Sequence, residues 1–195
     1  MNCGDTTVVK LCLRQSPHIE VSDGKTLELA AQDAAIVTWL ALESPTKRAL
    51  LASLLWPQSQ QSSALSALRQ RLFQLRKQLG FYLLRGRTTL SLCDGVEHDL
   101  ADAVTVLVTA QHDHSDTFRT WLTRQRGQRV VVACARLAAS AEAAESDGRF
   151  DDAICDAGQL LALDFLSEAP HRRVIRLHYL RNDRSAALQA RTLRC

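Results

Sequence analysis

The chain holds 195 residues, with 24 Lys plus Arg against 21 Asp plus Glu and a formal net charge of +3. Hydrophobic residues at 46% and charged residues at 23% allow a buried core in one large domain or two small ones, and exclude collagen-like, low-complexity and wholly disordered chains. Residues 1–10 carry neither the basic stretch nor the apolar run of a secretory signal. The most apolar windows, 103–110 and 130–139, reach about half a membrane span, and Arg136 interrupts the second. A cytoplasmic protein without a membrane partner is expected.

Few Gly, Pro and aromatic residues point to a mainly α chain with a small β component. Residues 7–30 read as short strands: 7–13 is apolar and β-branched, and Asp23-Gly24 is a turn before the alternating 26–29. Asp33 suits the first turn of a helix running to about Leu42. Ser44-Pro45-Thr46 ends that helix, and Thr46 is the expected N-cap of a second, over 47–55, striped by Leu50, Leu51, Leu54 and Leu55. After Trp56-Pro57-Gln58-Ser59, a third helix is expected over 61–79, stopped by Gly80. Its Leu65, Leu68, Leu72, Leu75 and Leu79 recur at three and four residues and mark one narrow buried face. The opposite face presents Ser63, Ser66, Gln70, Gln74 and Lys77, flanked by Arg69, Arg71 and Arg76. Residues 82–92 alternate around Arg85-Gly86-Arg87-Thr88, a Gly-bearing hairpin tip. Two helices, a cationic third helix and a basic hairpin, in that order, predict a winged helix-turn-helix over 7–100.

From residue 101 the pattern is almost wholly helical. Helices are expected over about 118–145, 151–163, 167–180 with Ser167 as N-cap, and 185–193, with turns at Asp147-Gly148-Arg149 and Asn182-Asp183. The stretch 148–154 is echoed by 182–188, at the 34-residue period of tetratricopeptide repeats.

The charge is unevenly placed. Fifty residues between Glu43 and Asp94 contain no acid but hold Lys47, Arg48, Arg69, Arg71, Arg76, Lys77, Arg85 and Arg87. An even scatter would put about five acids there. Solvated surfaces normally interleave both signs. A surface of one sign suits a polyanion, because carboxylates beside phosphates repel them. Residues 101–195, with 13 cations and 12 anions, are balanced.

No metal and no cofactor are expected. The six cysteines include no Cys-x-x-Cys and read as reduced thiols. His112 and His114 read as parts of an exposed loop rather than metal ligands. There is no nucleophile elbow and no Gly-rich phosphate loop, so no catalytic residue is assigned and the chain is not expected to be an enzyme.

Three segments in order carry a resemblance. They are Leu54-Leu55-Trp56-Pro57, Leu68-Arg69-Gln70-Arg71-Leu72-Phe73-Gln74-Leu75-Arg76, and Leu166-Ser167-Glu168-Ala169-Pro170-His171-Arg172-Arg173 with Arg176-Leu177-His178-Tyr179-Leu180. From about residue 7 to its end the chain resembles the DNA-binding and bacterial-transcriptional-activator-domain pair of SARP-type regulators. The resemblance implies an OmpR/PhoB-type winged helix over 7–100, with its recognition helix at 61–79 and wing at 83–92. It implies a tetratricopeptide-like activator domain over 101–195, shorter than the family's repeat module. It further implies binding to promoter repeats and recruitment of RNA polymerase, with Pro57, Gln58, Ser59 and Gln60 as the polymerase-contact loop.

The residues divide by chemistry. Thr46, Lys47 and Arg48 at a helix N-terminus suit a phosphate. Ser66, Arg69, Gln70 and Gln74 suit base edges. Arg71, Arg76 and Lys77 suit phosphates, and Arg85 and Arg87 suit a minor groove. The expected function is a sequence-specific, nucleoid-associated transcriptional activator with double-stranded promoter DNA and RNA polymerase as partners, and a homodimer as a further option. The alternative is a non-catalytic protein-interaction module acting through its helical repeats.

Overall fold

Short apolar alternation at the start of the chain folds into strands. The computed structural model describes residues 9–22, 24–101, 103–109 and 115–192. Strand β1 (Val9–Cys12) pairs antiparallel with β2 (His18–Val21), setting Leu11 opposite Ile19. β3 (Thr26–Glu28) extends this sheet beyond β2, and β7 (Val96–His98) joins the other side of β1 in parallel, giving the order β3-β2-β1-β7. Val9, Leu11 and Ile19 are buried while Lys10 and Glu20 are exposed, the two-residue alternation of a half-buried sheet. Asp99 ties the end of β1 to the segment after β7, its carboxylate accepting the Leu13 N–H at 2.8 Å.

Helix α1 (Ala31–Glu43) is followed by β4 (Thr46–Lys47), α2 (Arg48–Leu55) and α3 (Gln61–Leu79). α3 has the bounds its leucine spacing predicts, and Gly80 closes it in the left-handed conformation at φ 75°. β5 (Leu84–Arg85) and β6 (Thr89–Leu92) form a hairpin whose second strand pairs with β4, making a second sheet in the order β4-β6-β5.

The chain divides into two compact units, 1–126 and 127–195, so the first runs past the boundary expected after residue 100. The reason is packing. Leu100, Val106, Leu107, Phe118, Trp121 and Leu122 belong to the same core as Leu11, Ile36, Leu51, Leu68 and Leu90. Helix α4 (Asp116–Ser146) begins in this unit, where the Ser115 hydroxyl accepts the Phe118 N–H at 3.1 Å and donates to the Leu54 carbonyl. Trp121 lies 4.5 Å from the Trp39 ring and donates from Nε1 to Glu43 Oε1 at 2.7 Å.

The second unit takes the rest of α4 with α5 (Phe150–Leu163), α6 (Glu168–Leu180) and α7 (Arg184–Thr192). Ala144, Ala153, Ala157, Val174 and Leu177 make its small core. The echo between 148–154 and 182–188 has a structural counterpart. Gly148 and Asn182 take positive φ before α5 and α7, and Ala153 and Ala187 are both buried. Ser167 sits at the N-cap of α6 without a side-chain capping bond. The whole is mainly α with small sheets: seven helices and seven short strands among the described residues. No helix among them is long and apolar enough to cross a membrane.

Candidate nucleic-acid interface

α3 buries Ala64, Leu68 and Leu75 and half-buries Leu65, Leu72 and Leu79. That choice of face turns Ser63, Ser66, Arg69, Gln70, Gln74, Arg76 and Lys77 into solvent together, as their spacing predicts. The Ser66 hydroxyl donates back to the Ser62 carbonyl at 2.9 Å but stays exposed. Phe73 stands among these polar residues and is 66% exposed. The sequence pattern assigns it no role, although its place on the helical wheel, about 40° from both Arg69 and Lys77, already puts it outside the leucine stripe.

Arg71 departs from its expected role as a phosphate clamp. It falls at the edge of the buried face, where its Nε donates to Asp33 Oδ1 at 3.1 Å and its Nη2 to Asp33 Oδ2. Burial pushes the Asp33 carboxyl above its usual range and the Arg71 guanidinium draws it back. The charge of Arg71 is thus spent inside the fold, on a partner 38 residues away.

Thr46 also departs from expectation. It lies in β4 and is buried, its hydroxyl accepting from Trp39 Nε1 and donating to the Ser44 carbonyl, both at 3.0 Å. The N-cap of α2 is Lys47, which is exposed and makes no side-chain cap. The cationic side chains at this helix end are therefore Lys47 and Arg48, and Thr46 is not part of it.

Arg48 joins α2 to the hairpin tip, donating from Nη2 to the Gly86 carbonyl at 3.0 Å. Its Nε is buried with no hydrogen-bond partner among the described residues. Burial, and then the nearby Arg69 charge, hold its pKa below the usual arginine value. Arg48, Arg69 and Arg76 line one cavity of about 240 Å³ with Phe73 and Tyr82, and no carboxylate lines it. Arg76 stacks on the Tyr82 ring at 3.8 Å. Three like charges around one space favour an anion there.

Gly86 builds the tip of the hairpin: at φ 107° an added Cβ would fall 1.8 Å from the Thr89 carbonyl oxygen. Arg87 beside it is exposed. Arg85 is exposed as well but pairs with Asp94 and donates to Ser91 Oγ at 3.2 Å. Both members of that ion pair face water, so it is worth under about 1 kcal/mol and yields readily to a phosphate. Pro57, Gln58, Ser59 and Gln60 are exposed between α2 and α3.

His112 and His114 lie outside the described residues. Elsewhere, the register of β1 on β2 sets Cys12 opposite His18, and their donor atoms lie with that of Glu20 within 4.8 Å of one another. Sequence alone misses this group, since only strand pairing creates it. Lys10 Nζ, 3.7 Å from the Glu20 carboxylate, already supplies positive charge there.

No protein-family profile and no curated protein matches the chain.

Proposed function

We propose that the chain is a sequence-specific DNA-binding transcriptional regulator, an activator of SARP type. In this reading α2, the turn at 56–60 and α3 are the helix-turn-helix, and β5 with β6 is the wing of an OmpR/PhoB-type domain. One observation carries it. The outer face of α3 holds Ser66, Arg69, Gln70 and Lys77 in solvent beside the Arg48–Arg69–Arg76 cavity, within fifty residues that contain no acid.

Lys47, Arg48, Arg76, Lys77 and Arg87 are the phosphate ligands in this assignment, and Ser66, Arg69, Gln70 and Gln74 read base edges. The exposed loop 57–60 is the surface for RNA polymerase. Helices α4 to α7 are the tetratricopeptide-like activator domain, supported by the 34-residue spacing of Gly148 with Asn182 and of Ala153 with Ala187. Within that domain Phe165, Leu166, Tyr179, Leu180 and Leu188 are exposed, which favours a protein-contact role for it alongside DNA binding.

Salt tests the reading directly. With four or five phosphate contacts, log K for a duplex promoter fragment falls against log salt with a slope of about −4. A slope near zero removes the nucleic-acid assignment.

A further inference from the structure

A single exposed apolar side chain is common on protein surfaces and usually needs no partner. Phe73 differs in its setting. Its neighbours three and four residues away on the helix surface are Arg69, Gln70, Arg76 and Lys77, and it is 66% exposed at the centre of that polar, acid-free face. It also lines the cavity shared by Arg48, Arg69 and Arg76. A surface selected only for phosphate attraction gains nothing from a bare benzyl group. A surface that meets base edges does, because the major groove presents one apolar group among its donors and acceptors, the 5-methyl of thymine.

We propose that Phe73 reads that methyl, and so fixes a thymine at one position of the bound sequence. The inference rests on the DNA-binding reading and adds to it the identity of one base. A helical aromatic side chain leans toward the helix N-terminus, which carries the Phe73 ring over the turn bearing Arg69 and Gln70. The thymine is therefore adjacent to the base pair that Arg69 or Gln70 contacts. The ring supplies apolar area, the two polar side chains supply hydrogen bonds, and together they distinguish T from C at a position where charge alone cannot.

The experiment uses the full chain and two kinds of duplex. Binding-site selection from random DNA is run with the parent, Phe73→Ala and Phe73→Leu, and helicity and melting of each variant are recorded to show that it is folded. The selected site is then remade with 2′-deoxyuridine replacing each thymine in turn, which removes the methyl and leaves the pairing unchanged. The parent is expected to lose about fourfold in affinity at one uridine position, the effect of exposing one buried methyl. Phe73→Ala should lose the thymine preference at that position, keep the rest of the motif, and show no further loss with uridine. Phe73→Leu should retain part of the preference. A parent that selects a motif but tolerates uridine at every position overturns this inference alone, as does an unchanged motif in Phe73→Ala. A parent that selects no motif overturns the DNA-binding reading and this inference with it.

Discussion

Arg71 and Lys77 stand six residues apart on α3 with opposite fates. Arg71 is tied to a carboxylate that is almost wholly buried, while Lys77 projects into water with no acid nearby in the sequence. Truncating Arg71 leaves the Asp33 carboxyl buried without its ion-pair partner, which costs about 3 kcal/mol, the low end for a buried pair because Arg71 keeps some access to solvent. Truncating Lys77 removes a solvated side chain, with an expected stability change within about 0.5 kcal/mol. Binding should show the reverse pattern. Lys77→Ala makes the salt slope shallower by about one, and Arg71→Ala leaves it unchanged at temperatures where the variant is folded. Urea melts and salt titrations on the two variants measure both quantities. If Arg71→Ala flattens the slope and Lys77→Ala destabilises the fold, α3 is turned the other way, with Lys77 packed inward and Arg71 toward the DNA.

A helix as short as α7 depends on how it starts. Its lead-in residue Asp183 accepts the Ala186 N–H at 3.0 Å, the Arg181 guanidinium at 2.9 Å and the Ser185 hydroxyl at 3.0 Å. The Ala186 N–H, then Arg181 and Ser185, hold the Asp183 carboxyl down at about 2. The folded value lies below the ordinary one, so the cap is fully present above about pH 4 and is lost as pH falls through 2. The Ala186 amide followed by NMR should titrate with a midpoint near 2, and Asp183→Ala should fray α7 and abolish that titration. A midpoint near 4 means the carboxylate makes none of these bonds. Element ends of this local kind are legible in sequence. Gly80 and the leucine spacing delimit α3 because both signals sit inside the helix itself. Thr46 is misread because a threonine before a helix suits a cap and a strand equally, and its pairing with Leu90 in β6 settles the matter from 44 residues away. The outward facing of Arg69, Gln70 and Lys77 follows from periodicity alone. The loss of Arg71 to Asp33 does not, because helical spacing cannot say which residue of α1 lies opposite.

At the scale of the whole molecule, the same limit displaces the boundary between the units. The change from cationic to charge-balanced sequence near residue 94 suggests a cut at about 100, yet the core of the first unit draws on Leu107, Phe118, Trp121 and Leu122 from beyond it. Charge follows what a surface meets, whereas core membership follows where apolar side chains land after long-range folding. A fragment of residues 1–100 loses those four large side chains, each worth about 1.5–3 kcal/mol in burial, against a total stability of about 5–15 kcal/mol. It should not melt cooperatively. A fragment of residues 1–126 keeps the whole cluster and every proposed DNA contact, so it should melt cooperatively and bind a single half-site with the parent's salt slope. On tandem half-sites it should lose cooperativity if the second unit holds two copies together, because the second binding event then loses its effective concentration. Thermal melts of both fragments, with titrations on single and tandem sites beside the full chain, separate these effects. A 1–100 fragment as stable as 1–126 would show that Leu107, Phe118, Trp121 and Leu122 only cover the core. Undiminished cooperativity in the 1–126 fragment would place the pairing of copies on the first unit, and leave the exposed Phe165, Leu166 and Tyr179 free for a different protein.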